Sequence, residues 1–354
     1  MLSWDIIEHG KPLQQVLKDT PKPRGSEVLV RITRSGVCHS DLHIWDGYFD
    51  WGGGKRFYVK ERGCVPPFTL GHEPFGVVAA LGPRARGVRA GQKRIVYPWI
   101  GCGRCPVCKA GQDNYCVQGP RYLGVMRNGA YASHVLVPHP KYLVAAGGVD
   151  DAFAATLACS GLTTYSATAK LPTLGPKDWV AVIGCGGLGL VCISVLRAKG
   201  VRNIIACDVD EAKLAAARKL GARLALDTRA PDAAQKLAAL AMGSLAGAID
   251  LVGTPATAAL GSAALRKGGR HVLVGLHGGE LVHPLPPIAQ RAIGFVGSFV
   301  GNLQELREVV ALARRHKLRP PPVTTRPAGE VNTVLADLQA GRVLGRVVLD
   351  FDTP

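Results

Sequence analysis

The chain has 354 residues, enough for two domains that each bury a core. Hydrophobic residues make up 47% and aromatics only 6%, a balance that suits helices packed closely on a sheet. The formal charge of +17 admits an anionic partner, yet no basic run is denser than Arg314-Arg315-His316-Lys317, which favours an Arg-rich surface over a nucleic-acid or membrane face.

No apolar run approaches the roughly 20 residues that span a bilayer. The segment Met1 to Gly10 carries acidic residues where a signal peptide needs a basic end. A cytoplasmic protein without nucleic-acid or membrane partners is expected. Ten cysteines in such a chain favour metal ligation over disulfides.

From Glu27 to about Val144, short β-type runs are broken by Gly and Pro: Val28–Ile32, Gly76–Ala80, Arg94–Tyr97 and Ala132–Val137. They predict a compact, mostly antiparallel β domain. After about Gly161, apolar runs alternate with helical stretches. Six strands are predicted, at 179–183, 203–207, 222–226, 248–252, 270–274 and 293–296, the pattern of a doubly wound parallel sheet. Beyond Ser298 come helical stretches at 303–315 and 331–340, then a last strand at 345–349. The expected organisation is a first domain over 1–160, a nucleotide-binding domain over 161–297, and a return to the first domain over 298–354.

Gly184-Cys-Gly186-Gly187-Leu188-Gly189 has the spacing G-x-G-x-x-G between a predicted strand and helix, and Asp208 follows roughly twenty residues on. The glycines allow a tight turn and close approach of a pyrophosphate to a helix N-terminus. Asp208 can accept hydrogen bonds from ribose hydroxyls and would repel a 2′-phosphate, so NAD is expected over NADP. Lys213 is near enough in sequence to reach the same ribose.

Cys102, Cys105, Cys108 and Cys116 lie on a short Gly-containing loop and can close a tetrahedron around a structural zinc. A second set is built from distant pieces. Cys38-His39-Ser40-Asp41-Leu-His43, His72-Glu73, and Cys159 offer thiolate, imidazole, hydroxyl and carboxylate groups. A catalytic zinc needs three protein ligands and an open position, which Cys38, His72 and Cys159 could supply.

With these motifs in this order, followed by Leu162-Thr163-Thr-Tyr165, the chain resembles the zinc-dependent medium-chain alcohol dehydrogenases over nearly its full length. The resemblance implies a GroES-like catalytic domain beside a six-stranded Rossmann domain, and two zinc ions per subunit with NAD. It assigns Cys38, His72 and Cys159 to the catalytic zinc, with Glu73 beside the metal and Asp41 on the far nitrogen of His72. Ser40 would take the alcohol proton and His43 would pass it to solvent. His39 and Arg346 would meet the pyrophosphate; Thr163 and Ser298 would lie near the nicotinamide. A small alcohol, aldehyde or ketone substrate and a homotetramer or homodimer are also implied.

The aromatic stretch Trp45 to Tyr58 departs from the family pattern, and it reads either as a shaper of the substrate entrance or as a surface loop or subunit contact. Trp45, Tyr48 and Trp99 are expected pocket residues, pointing to an apolar or aromatic alcohol. Alternatives are a polyol or formaldehyde-adduct dehydrogenase of the same superfamily and, more remotely, a non-catalytic NAD sensor or a nucleic-acid-binding zinc protein.

Overall fold

The central strand of the first half, Val28–Val37, is buried along most of its length because it is paired on both sides. Pro74–Leu81 lies antiparallel on one side and the C-terminal strand Arg346–Asp350 antiparallel on the other; His134–Val137 also pairs with its first residues. The full sheet runs Leu143–Val144, Lys93–Val96, Pro74–Leu81, Val28–Val37, Arg346–Asp350, Val323–Pro327, with His134–Val137 off this path. The computed structural model of the chain describes residues 1–315 and 317–353, so His316, in the basic run noted above, lies outside them.

The second half forms the predicted six-stranded parallel sheet. Its order is Leu224–Asp227, Ile204–Asp208, Trp179–Ile183, Leu245–Asp250, Arg270–Leu273, Gly294–Gly297. Trp179–Ile183 sits in the middle and is buried throughout, which is why it reads as an unbroken apolar run. The strand order reverses beside it, and in open α/β sheets that switch point is where ligands bind.

One apolar interior joins the halves. Val191 and Val195 of the helix Gly187–Ala198 share a cluster with Leu157, Cys159 and Leu306, the last from the helix Leu303–Arg314.

The aromatic stretch, for which the sequence left a loop open, is a hairpin of Tyr48–Gly52 and Lys55–Tyr58. Its tip leans on the nucleotide half. A Cβ added at Gly52 would stand 2.8 Å from the Gly279 carbonyl oxygen, and one at Gly278 would stand 2.6 Å from Asp50 Cβ. A cleft of about 240 Å³ remains between them, lined by Phe49, Trp51, Thr254, Pro255, Leu276 and Leu281 among others.

Candidate active site

Two local devices place the first ligands. Cys38 follows the strand Val28–Val37 and caps the helix His39–Asp46. Asp41, at the third position of that helix, accepts the Cys38 N–H through Oδ2 at 2.9 Å, a reciprocal cap that fixes the turn. Gly47, at φ 88°, then ends the helix in the left-handed conformation that glycine tolerates best.

Asp41 serves a second purpose. Its Oδ1 accepts the His72 Nδ1–H at 3.0 Å, while Oδ2 also accepts the Tyr131 hydroxyl at 2.9 Å. Asp41 thereby fixes Nδ1 as a donor and turns Nε2 toward the other candidate ligands. Burial alone would pull His72 down, but the Asp41 carboxylate and the Cys38 sulfur together outweigh it and hold the imidazole well above its ordinary value. A ring so oriented and made more basic is a good metal ligand.

Cys159 arrives from the other side on a helix that widens. Regular turns over Asp151–Thr156 and Leu162–Thr168 flank a π-helical turn at Leu157–Gly161. Such turns loosen the backbone ladder and recur at functional sites. The Ala158 carbonyl is taken by the Trp99 indole N–H at 3.1 Å. The ligand atoms of Cys38, His72, Glu73 and Cys159 all lie within 4.8 Å of one another, and all four residues are buried. Among them His72 Nε2 and Glu73 Oε2 have no hydrogen-bond partner. A hydrogen bond from the Cys159 thiol holds the Cys38 thiol well below its ordinary value, and the same bond pushes Cys159 up. Burial raises Glu73 to about 7 against the opposing pull of Arg346. Two thiols, an imidazole nitrogen and a carboxylate, all desolvated and with His72 Nε2 and Glu73 Oε2 still without partners, fit a zinc ion.

The second cluster fits zinc as well. Cys102 and Cys108 Sγ are 4.0 Å apart, as are those of Cys105 and Cys116. Thiolates about 2.3 Å from a tetrahedral centre stand roughly 3.8 Å apart. Backbone N–H groups already point at the sulfurs: Cys105 N at Cys102 Sγ (3.3 Å) and Cys108 N at Cys105 Sγ (3.4 Å). Those of Arg104 and then Cys105 lower the Cys102 thiol to about 6.

The glycine turn fits a dinucleotide. Gly184, at φ 88°, makes the bend. Around Gly186 a Cβ would meet nothing within 4 Å, leaving the backbone open to a pyrophosphate. At Gly189 a Cβ would collide with the Gly184 carbonyl, so helix and strand approach as closely as glycine allows. Gly187 opens the helix Gly187–Ala198, where it packs against the stem of Arg346, and Leu188 follows it. Asp208 Oδ2 accepts the Cys185 N–H at 2.6 Å, and Oδ1 accepts those of Val209 (2.8 Å) and Asp210 (3.0 Å), which tie the turn to the end of the next strand.

Some of the residues expected at the site make other contacts here. Trp45 is two residues from His43, about 200° around the helix. Its indole therefore turns away, donates to the Lys11 carbonyl at 2.5 Å and packs against the cluster of Trp4, Ile6 and Leu42. Tyr48 alternates with Phe49 along its strand, so the two rings face opposite ways. Phe49 abuts His43 (ring centroids 4.9 Å), while Tyr48 lies under Arg56 and beside Tyr58. Lys213 turns its ammonium to Asp210 at 3.9 Å. Trp99 does stand at the cluster, 5.5 Å from the His72 ring.

Ser40 and His43 lie one helical turn apart, with no hydrogen bond between them among the described residues. Thr163 Oγ1 is 4.0 Å from Cys159 Sγ, and the buried Ser298 hydroxyl has no partner.

Three residues near the site were not singled out from sequence. His277, on a loop of the nucleotide half, faces His39 at 5.9 Å between rings, and His39 in turn faces His43 at 5.5 Å. Its signal was a histidine in the Gly-rich stretch Leu276-His277-Gly278 after a strand. Phe299 packs against Trp99 at 5.8 Å, next to Val300, a β-branched residue held at φ 39°. Phe49 is the third, and only the strand's alternation could have picked it over Tyr48.

Comparison with known proteins follows this geometry. Residues 24–147 match the alcohol dehydrogenase GroES-like domain, and residues 187–315 match the zinc-binding dehydrogenase domain. An NAD-dependent alcohol dehydrogenase of Sulfurisphaera tokodaii is 37% identical over 351 residues, covering 99% of both chains. The chain belongs to the zinc-dependent medium-chain alcohol dehydrogenase family. An NAD-dependent alcohol dehydrogenase of Saccharolobus solfataricus is 36% identical, over 97% of this chain and 98% of its own. The crystal structure of the Aeropyrum pernix alcohol dehydrogenase superposes with a TM-score of 0.89 at 33% identity, covering 99% of this chain and all of that one. Acetophenone reductase from Geotrichum candidum in complex with NAD gives 0.85 at 28% identity, covering 100% and 98% of the two chains. Like these medium-chain dehydrogenases, the chain pairs a GroES-like half with a Rossmann half. No helix among its described residues is long and apolar enough to cross a membrane.

Proposed function

We propose that the chain is an NAD-dependent alcohol dehydrogenase of the cytoplasm that oxidises primary or secondary alcohols, including aromatic or bulky apolar ones, and runs reversibly. One observation carries this reading. Arg346 bonds Glu73 of the candidate metal set and lies against Gly187 of the dinucleotide turn, so the two half-sites meet across one side chain.

In this reading Cys38, His72 and Cys159 hold the catalytic zinc, Glu73 stands by as a further carboxylate, and Cys102, Cys105, Cys108 and Cys116 hold a structural one. When bound, the catalytic zinc acidifies an alcohol hydroxyl and NAD accepts the hydride. Ser40 takes the alcohol proton at its hydroxyl, and His43, one turn along the same helix, receives it and passes it to solvent. Asp208 receives the adenosine ribose. His39 and Arg346 face the pyrophosphate; Thr163 and Ser298 face the nicotinamide. Trp99 and Phe299 supply an aromatic wall beside the metal set, which favours apolar substrates over polyols. Phe49, packed on His43, limits water access there.

The proposed division is 1–160, 161–297 and 298–354, and it is supported by the return of Arg346–Asp350 to the first sheet. A homotetramer or homodimer is supported by Val282 and Leu285, 88% and 77% exposed, just before the edge strand Gly294–Gly297. Sizing with light scattering decides that point.

The deciding experiment follows NADH formation with primary, secondary, benzylic and polyol substrates, with NADP in parallel and Cys38→Ser as control. Turnover with NAD that the control abolishes supports the reading. Absence of turnover in a zinc-loaded protein that binds NADH overturns it. Trp99→Ala or Phe299→Ala should lower benzylic rates relative to short alkyl ones, and unchanged ratios would remove the apolar-substrate claim.

A further inference from the structure

The strands Leu245–Asp250 and Arg270–Leu273 end at the carboxyl edge of the parallel sheet, where such folds bind dinucleotides. Asp250 organises both ends. Its carbonyl accepts the N–H groups of Val274 (2.9 Å) and Gly275 (3.0 Å). Its carboxylate Oδ1 accepts those of Val252 (3.0 Å) and Gly253 (2.9 Å). The two loops are then zipped together, His277 N–H to the Val252 carbonyl (3.2 Å) and Gly278 N–H to that of Gly253 (3.1 Å). A single residue thus sets the path of both loops, including the one that carries His277 to His39.

The other carboxylate oxygen, Oδ2, is buried without a hydrogen-bond partner and faces His271 Nε2 at 3.6 Å. Both residues are 0% exposed. Their alignment follows from register. Ala248 pairs with His271 and Asp250 with Leu273, so Asp250 and His271 share a face two residues apart on adjacent strands. Neither ring nitrogen of His271 has a hydrogen-bond partner. Burying an unpaired imidazole among core residues costs free energy that a leucine would not. The helix Pro255–Ala264 makes room for the ring at Gly261, where a Cβ would stand 2.5 Å from His271 Cε1 and 2.6 Å from Nδ1.

We propose that His271, as its Nε2–H tautomer, is a positioning residue for dinucleotide binding. It acts through Asp250, whose free oxygen it faces, and so presets the loops 252–254 and 274–278 at the carboxyl edge of the sheet where the dinucleotide would lie. At 3.6 Å the contact is electrostatic rather than a formed hydrogen bond. The proposal rests on the NAD reading above.

The test measures NADH affinity by fluorescence titration, with KM for NAD, kcat and the urea midpoint, in His271→Leu, His271→Gln and Gly261→Ala. His271→Leu should weaken NADH binding and raise KM for NAD about fivefold or more, the worth of one polar contact. Its kcat should stay within about twofold, because the chemistry is untouched. His271→Gln, which keeps a donor at similar reach, should recover most of the affinity. Gly261→Ala, which keeps the imidazole but displaces it, should behave like His271→Leu and decides the matter if that variant does not fold. Parent-like NADH affinity in both His271→Leu and Gly261→Ala overturns the proposal. So does a loss confined to the urea midpoint. A parent protein that binds no NADH overturns the dinucleotide reading instead, so the two failures are distinguishable.

Discussion

Arg346 and Glu73 form a buried ion pair that ties the last strand to the metal-ligand pocket. They are 4% and 0% exposed, and register sets Arg346 beside the end of Val28–Val37, since Val347 pairs with Val37. Replacing Arg346 with Met strands a carboxylate in the interior. Breaking such a pair costs about 3–5 kcal/mol, whereas removing both charges costs far less. Arg346→Met should therefore lower the unfolding free energy by about that amount, and Arg346→Met with Glu73→Gln should recover most of it. Equal losses in the single and double variants, by urea denaturation, would show that the charges are not coupled.

The four-cysteine lobe should be separable from catalysis in its metal content. Cys105→Ser is expected to retain half of the parent's zinc by elemental analysis, because the Cys38, His72 and Cys159 set is intact. Its heat inactivation should be faster, since a structural zinc contributes directly to folding. Parent-level zinc in the variant would count against a four-thiolate site.

Asp208 combines two jobs, charge and loop geometry. Asp208→Asn keeps an oxygen for the Val209 and Asp210 N–H groups but removes the negative charge. Its kcat/KM with NAD should fall about tenfold, and its preference for NAD over NADP should fall further because the repulsion is gone. An unchanged ratio of the two cofactors would mean that the discrimination lies elsewhere.

His43 carries a pH dependence of stability. Burial first, then His39 and His277, depress it from 6.5 to about 4. The folded chain thus binds fewer protons at this position than the unfolded chain between those values. The stabilisation is complete above about pH 6.5 and is lost as pH falls through about 4. His43→Gln has no such group, so the parent's urea midpoint should drop relative to the variant's as pH is lowered across that window. Parallel curves would show that His43 titrates as it does in the unfolded chain.

The parallel sheet was legible because strands buried on both faces read as continuous apolar runs, as in Trp179–Ile183. The thiols, His72 and the glycine turn were legible because they occur together and in one order, although His72 or Cys159 alone would read as an ordinary core residue. The hairpin Tyr48–Tyr58 was not, since three successive glycines and flanking charges give it no period to read. Trp45 was misplaced because nearness to His43 in sequence ignored helical phase. His277 reaches His39 only through the docking of two halves more than 200 positions apart, a relation that no local pattern encodes.

The placement of Arg346–Asp350 between Val28–Val37 and Val323–Pro327 also governs the order of biosynthesis. The nucleotide-binding sheet uses one continuous stretch, 179–297, and can close while the ribosome is still adding residues. Of the two large sheets, the one that begins first in the chain must finish last. Its central strand keeps Arg34–Val37 bare on one edge until residue 346 and its successors emerge, since His134–Val137 covers only Val28–Arg31, and the Arg346–Glu73 pair can form only then. A stalled or truncated nascent chain would thus present a finished dinucleotide fold attached to an open, aggregation-prone β edge.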